Sequence, residues 1–147
     1  MLTCFDVASY FLAQSNEESG DLLSNMKLQK LVYYAQGLYL AAYDSPLFLE
    51  EIQAWTHGPV VLDLYYRFKD FGAGAIPVPD CLDFEIFDEP AREMLDDVYR
   101  VYGQFSAWKL RELTHGEPPW VEGNDKGPYT VISHDALRRY FKTQLLD

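Results

Sequence analysis

The chain has 147 residues, 48% of them hydrophobic and 16% aromatic, and a formal net charge of −11. That length and apolar content suit one domain that buries its own core without disulfide or metal support, and they exclude a disordered chain. The charge excludes a tight grip on a phosphate backbone, which needs clustered cations, so no nucleic acid is expected to bind this chain alone.

No basic-then-apolar leader opens the sequence, and no run approaches the ~18 apolar residues of a membrane span. A cytoplasmic protein with no membrane association is expected. Cys4 and Cys81 lack any close spacing and are expected to be buried small hydrophobes, not a disulfide or a metal site. Residues 76–107 carry eight acids against Arg92 and Arg100. A run of this kind reads as a solvated helix face.

The first helix is expected to start at Thr3, with Asp6 three residues on as a capping box. Cys4, Val7, Ala8, Phe11 and Leu12 form its buried stripe. "QSNEESGD" at 14–21 reads as a loop. Ser24 or Asn25 caps a second helix, whose buried face is Leu28, Leu31, Val32, Ala35, Leu38, Tyr39 and Ala42. Lys27, Lys30 and Gln36 fall off that stripe, whereas Tyr33, Tyr34 and Leu40 widen it. This helix should be central.

Ile52 and Ala54 suggest one short strand after Pro46. Gly58-Pro59 reads as a helix start, because proline suits the first helical position. Val61, Leu64, Tyr65 and Phe68 give that helix its stripe, ending near Phe71-Gly72. Residues 72–87 look like a loop with a short strand at 83–87. Asp88 caps a helix whose face is Ala91, Met94, Leu95, Val98, Tyr102 and Phe105. Ser106 caps a short helix through Leu113, stopped by a left-handed Gly116 and by Pro118-Pro119. Ser133 caps the last helix, with Ile132 and Leu137 as a hydrophobic staple. The sum is a mainly α fold, a compact bundle of five to six helices with at most a small β-hairpin, and with no strand–helix alternation of the doubly wound kind.

Thr-His-Gly occurs twice, at 56–58 and 114–116, and holds two of the three histidines. An internal repeat is rejected, because the flanks do not align and one copy precedes a helix while the other follows one. A metal site lacks H-E-x-x-H or C-x-x-C spacing, and no nucleophile sits in a G-x-S-x-G elbow. Helix-boundary turns, with each histidine bonding a free backbone group and Trp55 and Trp120 packed over them, account better for both copies.

"MKLQKLVYYAQGLYLA" at 26–41, "PLFLEEIQAWTHGPVV" at 46–61 and "LRELTHGEPPW" at 110–120 follow one another in that order. In series they closely resemble the Panacea domain, the domain of SocA-like antitoxins and of GepA-like phage-associated proteins. The resemblance runs over nearly the whole chain, so 1–147 is read as one Panacea domain. The matching positions are Lys27, Leu28, Gln29, Lys30, Leu31, Tyr33, Pro46, Leu47, Trp55, Gly58, Pro59, Val60, Thr114, His115, Pro119 and Trp120. Gly123 departs from the alanine often found there.

The resemblance implies a bacterial type II antitoxin, not an enzyme and without a cofactor. Its partner would be a cognate protein toxin bound directly, and a bacterial protease where the antitoxin delivers its toxin for degradation. The alternatives are a phage or prophage accessory protein that binds another host protein, and a hydrolase using His57 and His115. Tyr and Trp dominate interface hot spots. The expected toxin-binding surface is therefore Tyr33, Tyr34, Trp55, His57, Pro59, Tyr65, Tyr66, His115, Pro119 and Trp120. Lys27, Leu28, Gln29, Lys30, Leu31, Gly58 and Thr114 are expected to keep the fold.

Overall fold

The computed structural model describes residues 1–15 and 22–145. Nearly all of the 14–21 loop expected from the sequence lies outside these residues.

Helix α1, Cys4–Gln14, begins as the sequence foretells. Thr3 accepts from the Asp6 amide, and the Asp6 carboxylate accepts from the Thr3 amide. This reciprocal bonding satisfies two of the donors that a helix start leaves open. Its stripe of Cys4, Val7, Ala8, Phe11 and Leu12 is buried.

Helix α2, Asn25–Tyr43, is capped by Ser24 and forms the axis of the molecule. It packs against α1, α4 (Glu89–Tyr102), α5 (Ala107–His115), α7 (His134–Phe141) and strand β2 (Gly58–Val61). Contact on so many sides explains why every residue from Leu28 to Gly37 is buried. The Phe141 ring of α7 lies where a side chain at Gly37 would begin, 2.1 Å from that position.

The burial of α2 departs from the amphipathic pattern of its sequence. Lys30 and Gln36 are buried, although they fall off the hydrophobic stripe, while Ala42 is exposed. The buried polar residues hold main chain. Gln36 donates to the Phe48 carbonyl at 2.7 Å and accepts from the Leu47 amide at 2.8 Å. Gln29 accepts from the Val61 amide at 2.7 Å. Irregular backbone pressed against a helix needs such partners, and hydropathy spacing cannot reveal them.

Strands β1 (Ile52–Trp55), β2 (Gly58–Val61) and β3 (Thr130–Ile132) form an antiparallel sheet in the order β2-β1-β3. The small β element is therefore a three-stranded sheet, one strand larger than a hairpin. Gly58-Pro59 does not start a helix. Pro59 pairs with Ala54 in β2, an edge strand, where a missing N–H is tolerated. Helix α3 starts later, at Leu62–Phe68, and runs into a 3-10 turn at Lys69–Phe71.

A 3-10 turn, Phe84–Ile86, replaces the strand expected at 83–87. Asp88 caps α4 as expected. All eight acids of 76–107 are exposed, a solvated face, with Asp96 accepting from Tyr10 at 2.7 Å. Cys4 is buried but Cys81 is exposed, because it falls on the irregular segment before α4.

Gly116 ends α5 at φ −97° and is not left-handed. Pro118 and Pro119 start a helix instead of stopping one: α6 runs Pro118–Lys126. Both prolines sit in the first turn, where the absent N–H groups would have had no helical partner. With α6 the described residues hold seven α-helices. Ser133 caps α7, and Ile132 and Leu137 are both buried.

Candidate functional site

The two Thr-His-Gly segments meet in space. Thr56-His57 is the two-residue turn between β1 and β2, and Thr114-His115 closes α5. Arg111, one turn before His115, donates through Nε to Nδ1 of His57 at 2.9 Å. Trp120 donates its indole N–H to the Trp55 carbonyl at 2.7 Å. The His115 ring stacks on Trp120 with centroids 4.0 Å apart and planes 7° from parallel.

Gly58 is required where these segments touch. Its φ is +111°, and a Cβ there would stand 2.8 Å from both Lys30 Cε and Thr114 Oγ1. A residue with a side chain would be strained in conformation and blocked in space.

Lys30 is buried to 1% exposure. Its ammonium donates to the Pro59 carbonyl at 3.2 Å. No acid among the described residues forms an ion pair with it. Burial first, and then the Arg111 charge, pull its pKa down to about 7. His115 is likewise shifted down, by burial first and then by Arg111, with the Thr56 backbone acting in the other direction. Its Nε2 is buried without a hydrogen-bond partner among the described residues.

A second polar centre lies one turn further along the same face of α2. Tyr33 and Tyr34 donate to the two carboxylate oxygens of Glu117, each at 2.9 Å, and Tyr140 bonds the same group. Glu117 is the residue before Pro118 and opens α6. Burial pushes its pKa up to about 7 against the pull of the three phenols. Tyr34 also stacks on Tyr102 with centroids 3.9 Å apart.

The expected contact residues divide accordingly. Tyr33 and Tyr34 are buried, because their hydroxyls serve Glu117, so they offer no outer surface. Pro59, Pro119 and Trp120 are buried as well. Trp55, Tyr65 and His115 are half-buried, while His57 and Tyr66 are exposed. Of the fold-keeping set, Leu28, Gln29, Lys30, Leu31, Gly58 and Thr114 are buried, and Lys27 donates to the Gly103 carbonyl at 2.7 Å.

Sequence reading missed Glu117, Arg111, Trp108 and Tyr129. An acid directly before Pro-Pro was a legible helix start. Arg111 and Trp108 are spaced i, i+3 on α5, and the guanidinium lies 4.5 Å from the Trp108 ring, which is exposed. Tyr129 lies against Trp55, 5.2 Å between centroids, from a left-handed φ of 62° that no pattern announces.

Among the described residues, no group of three or more His, Cys, Asp or Glu is placed to hold a metal. No described helix is long and apolar enough to cross a membrane.

A central helix with buried polar side chains, a small sheet against it and two turns locked by side chains define a mainly helical domain. Residues 28–121 match the family described as antitoxin SocA-like, Panacea domain, and the chain belongs to that family. It is similar to Antitoxin SocA of Caulobacter vibrioides (strain NA1000 / CB15N), 29% identical over 122 residues, which cover 76% of this chain and 61% of the relative. The chain thus spans less than two thirds of that relative's length. No solved structure gives a significant match.

Proposed function

We propose that the protein is an antitoxin that neutralises a cognate protein toxin by binding it directly, without catalysing a reaction. The observation that carries this reading is the family match. It includes the β1–β2 hairpin, α5 and the start of α6, the segments that build the locked turns. The proposed contact surface is the outer side of that hairpin and its surroundings: His57, the Trp55 ring, Tyr65, Tyr66 and, from α5, Trp108. Rigid aromatics on a fixed scaffold offer large contact area at small entropic cost.

Hydrolysis by His57 and His115 has less support. Arg111 occupies one ring nitrogen of His57, and His115 is packed flat on Trp120.

Co-expression with the product of the neighbouring gene tests the reading. Growth arrest by that product alone, relieved by this chain, is the expected result, together with co-purification of the two proteins. A neighbour that does not inhibit growth, or a toxin that this chain neither binds nor silences, overturns it. Toxin lifetime then separates the modes. Rescue with an unchanged toxin level means occlusion, whereas a fall seen only in protease-proficient cells means delivery for degradation.

A further inference from the structure

A cleft of about 480 Å³ opens between the start of α2, the Thr56-His57 turn and α3. Lys30, Trp55, His57, Tyr65, Lys69 and Tyr129 are among its lining residues. No Asp or Glu is among the described residues that line it, in a chain with 23 acids against 12 lysines and arginines. The cleft is therefore a local cationic site on an acidic molecule.

Its floor and its walls differ in kind. Lys30 belongs to the floor. An ammonium carries three donors, and this one makes a single hydrogen bond to a carbonyl, with no ion pair among the described residues. Left without a counter-ion, this amine escapes the cost of a buried charge by giving up its proton near neutrality, and a carboxylate brought beside it would favour the charged form again. The walls are aromatic. Trp55 lies between Tyr65 at 4.7 Å and Tyr129 at 5.2 Å, and Tyr129 holds its ring there from a strained backbone conformation while staying 62% exposed. Strain kept at the rim of a cleft is the kind of feature that function maintains.

We infer that this cleft receives an acidic side chain of the protein partner, a Glu or Asp next to an apolar or aromatic residue. The carboxylate goes toward Lys30, with His57 and Lys69 near the mouth. The flanking residue lies between Trp55, Tyr65 and Tyr129. This inference rests on the reading of the chain as a toxin-binding protein and names the chemistry that the partner presents to one part of its surface. A polyanion is disfavoured by the net charge of −11, which repels it at long range, whereas a single carboxylate meets only the local cations. The aromatic surface continues past the mouth to exposed Tyr66, which a free small acid would leave uncovered and a protein partner covers.

The test is an NMR titration of the isotope-labelled full chain with two capped tripeptides, acetyl-Phe-Glu-Ala-amide and acetyl-Phe-Gln-Ala-amide, and with sodium propionate. The Glu peptide is expected to bind in the roughly millimolar range and to shift the Trp55 indole and the amides of Thr56, His57 and Tyr129. The Gln peptide should bind at least about tenfold more weakly, the loss of one charge-assisted contact. Lys30→Met should abolish the difference between the peptides. Lys69→Glu, at an exposed position, should weaken the Glu peptide without unfolding the chain. Equal binding of the two peptides, or no shift with either, overturns the inference. Propionate binding as tightly as the Glu peptide overturns the assignment to a protein partner. In a purified toxin complex, Lys69→Glu and Tyr129→Ser should each weaken affinity. A complex that forms but ignores both substitutions sinks this inference and leaves the antitoxin reading intact. Selective Glu-peptide binding by a chain that silences no toxin does the reverse.

Discussion

Tyr34 has no solvent exposure, and its hydroxyl donates to Glu117 at 2.9 Å, beside a carboxylate that forms no salt bridge with any described residue. Three phenols do the work that a cation usually does for a buried acid. They join α2, α6 and α7 at one point. Tyr34→Phe keeps the ring that stacks on Tyr102 and removes one charge-assisted donor. Denaturant unfolding should show a loss of about 1.5–3 kcal/mol, the range for hydrogen bonds to charged groups. A loss within about 0.5 kcal/mol would mean that the other two phenols suffice.

The two shifted buried groups give stability an unusual pH profile. Glu117 is raised from 4.5 to about 7 in the folded chain, where Tyr33, Tyr34 and Tyr140 face it. The folded state therefore holds more protons than the unfolded state across that window, and stability falls as pH rises from 4.5 through 7. Lys30 is lowered from 10.5 to about 7, with the cation of Arg111 facing it. There the folded state holds fewer protons, and stability rises with pH from 7 toward 10.5. Together the two produce a minimum near neutrality. Subtracting the thermal profile of Glu117→Gln from that of the unaltered chain should isolate the falling limb, and subtracting that of Lys30→Met should isolate the rising one. Difference curves that stay flat with pH would contradict the assignment.

Gly58→Ala should be costly. Its φ of +111° and the 2.8 Å approaches to Lys30 and Thr114 combine backbone strain with overpacking, each on the order of 1–3 kcal/mol. The thermal midpoint should drop by at least about 4 °C for a chain of this size. Gly72→Ala is a control for the conformational part alone, since φ is +55° there but nothing lies within 4 Å. It should cost clearly less.

Trp120→Phe tests the link between the two turns. It removes the indole donor from the Trp55 carbonyl, which stays paired with Gly58 in the sheet, and a loss of about 0.5–1.5 kcal/mol from that bond is expected on chemical denaturation. The tryptophan emission of the remaining residues should also become more solvent-like if the hairpin loosens.

The helices were legible wherever a cap and an apolar stripe occurred together. Thr3 with Asp6, Ser24, Asp88, Ser106 and Ser133 each announce a start that the structure contains. The stops and strands were harder to read. Gly58-Pro59 and Pro118-Pro119 carry the same local signal, a proline that breaks a pattern. One proved to be an edge strand and the other a helix start, because a missing N–H is tolerated in both settings. Strand β3 is three residues long, too short for alternation to show. At the site, the sequence singled out the two Thr-His-Gly turns, but not Lys30, Gln36 and Glu117 as buried groups. Polar residues on a central helix look like a solvated face until the main chain they hold is known.

Trp55 joins two separate duties in one residue. Its main-chain carbonyl receives Trp120 and closes the turns, while its ring stands in the cleft between Tyr65 and Tyr129. The carbonyl is present whatever side chain follows it. Position 55 can therefore change the face it shows to a partner while the bond that fastens the hairpin stays in place. On the proposed reading of the cleft, a scaffold built this way separates what it recognises from how it folds, and the first can drift without endangering the second.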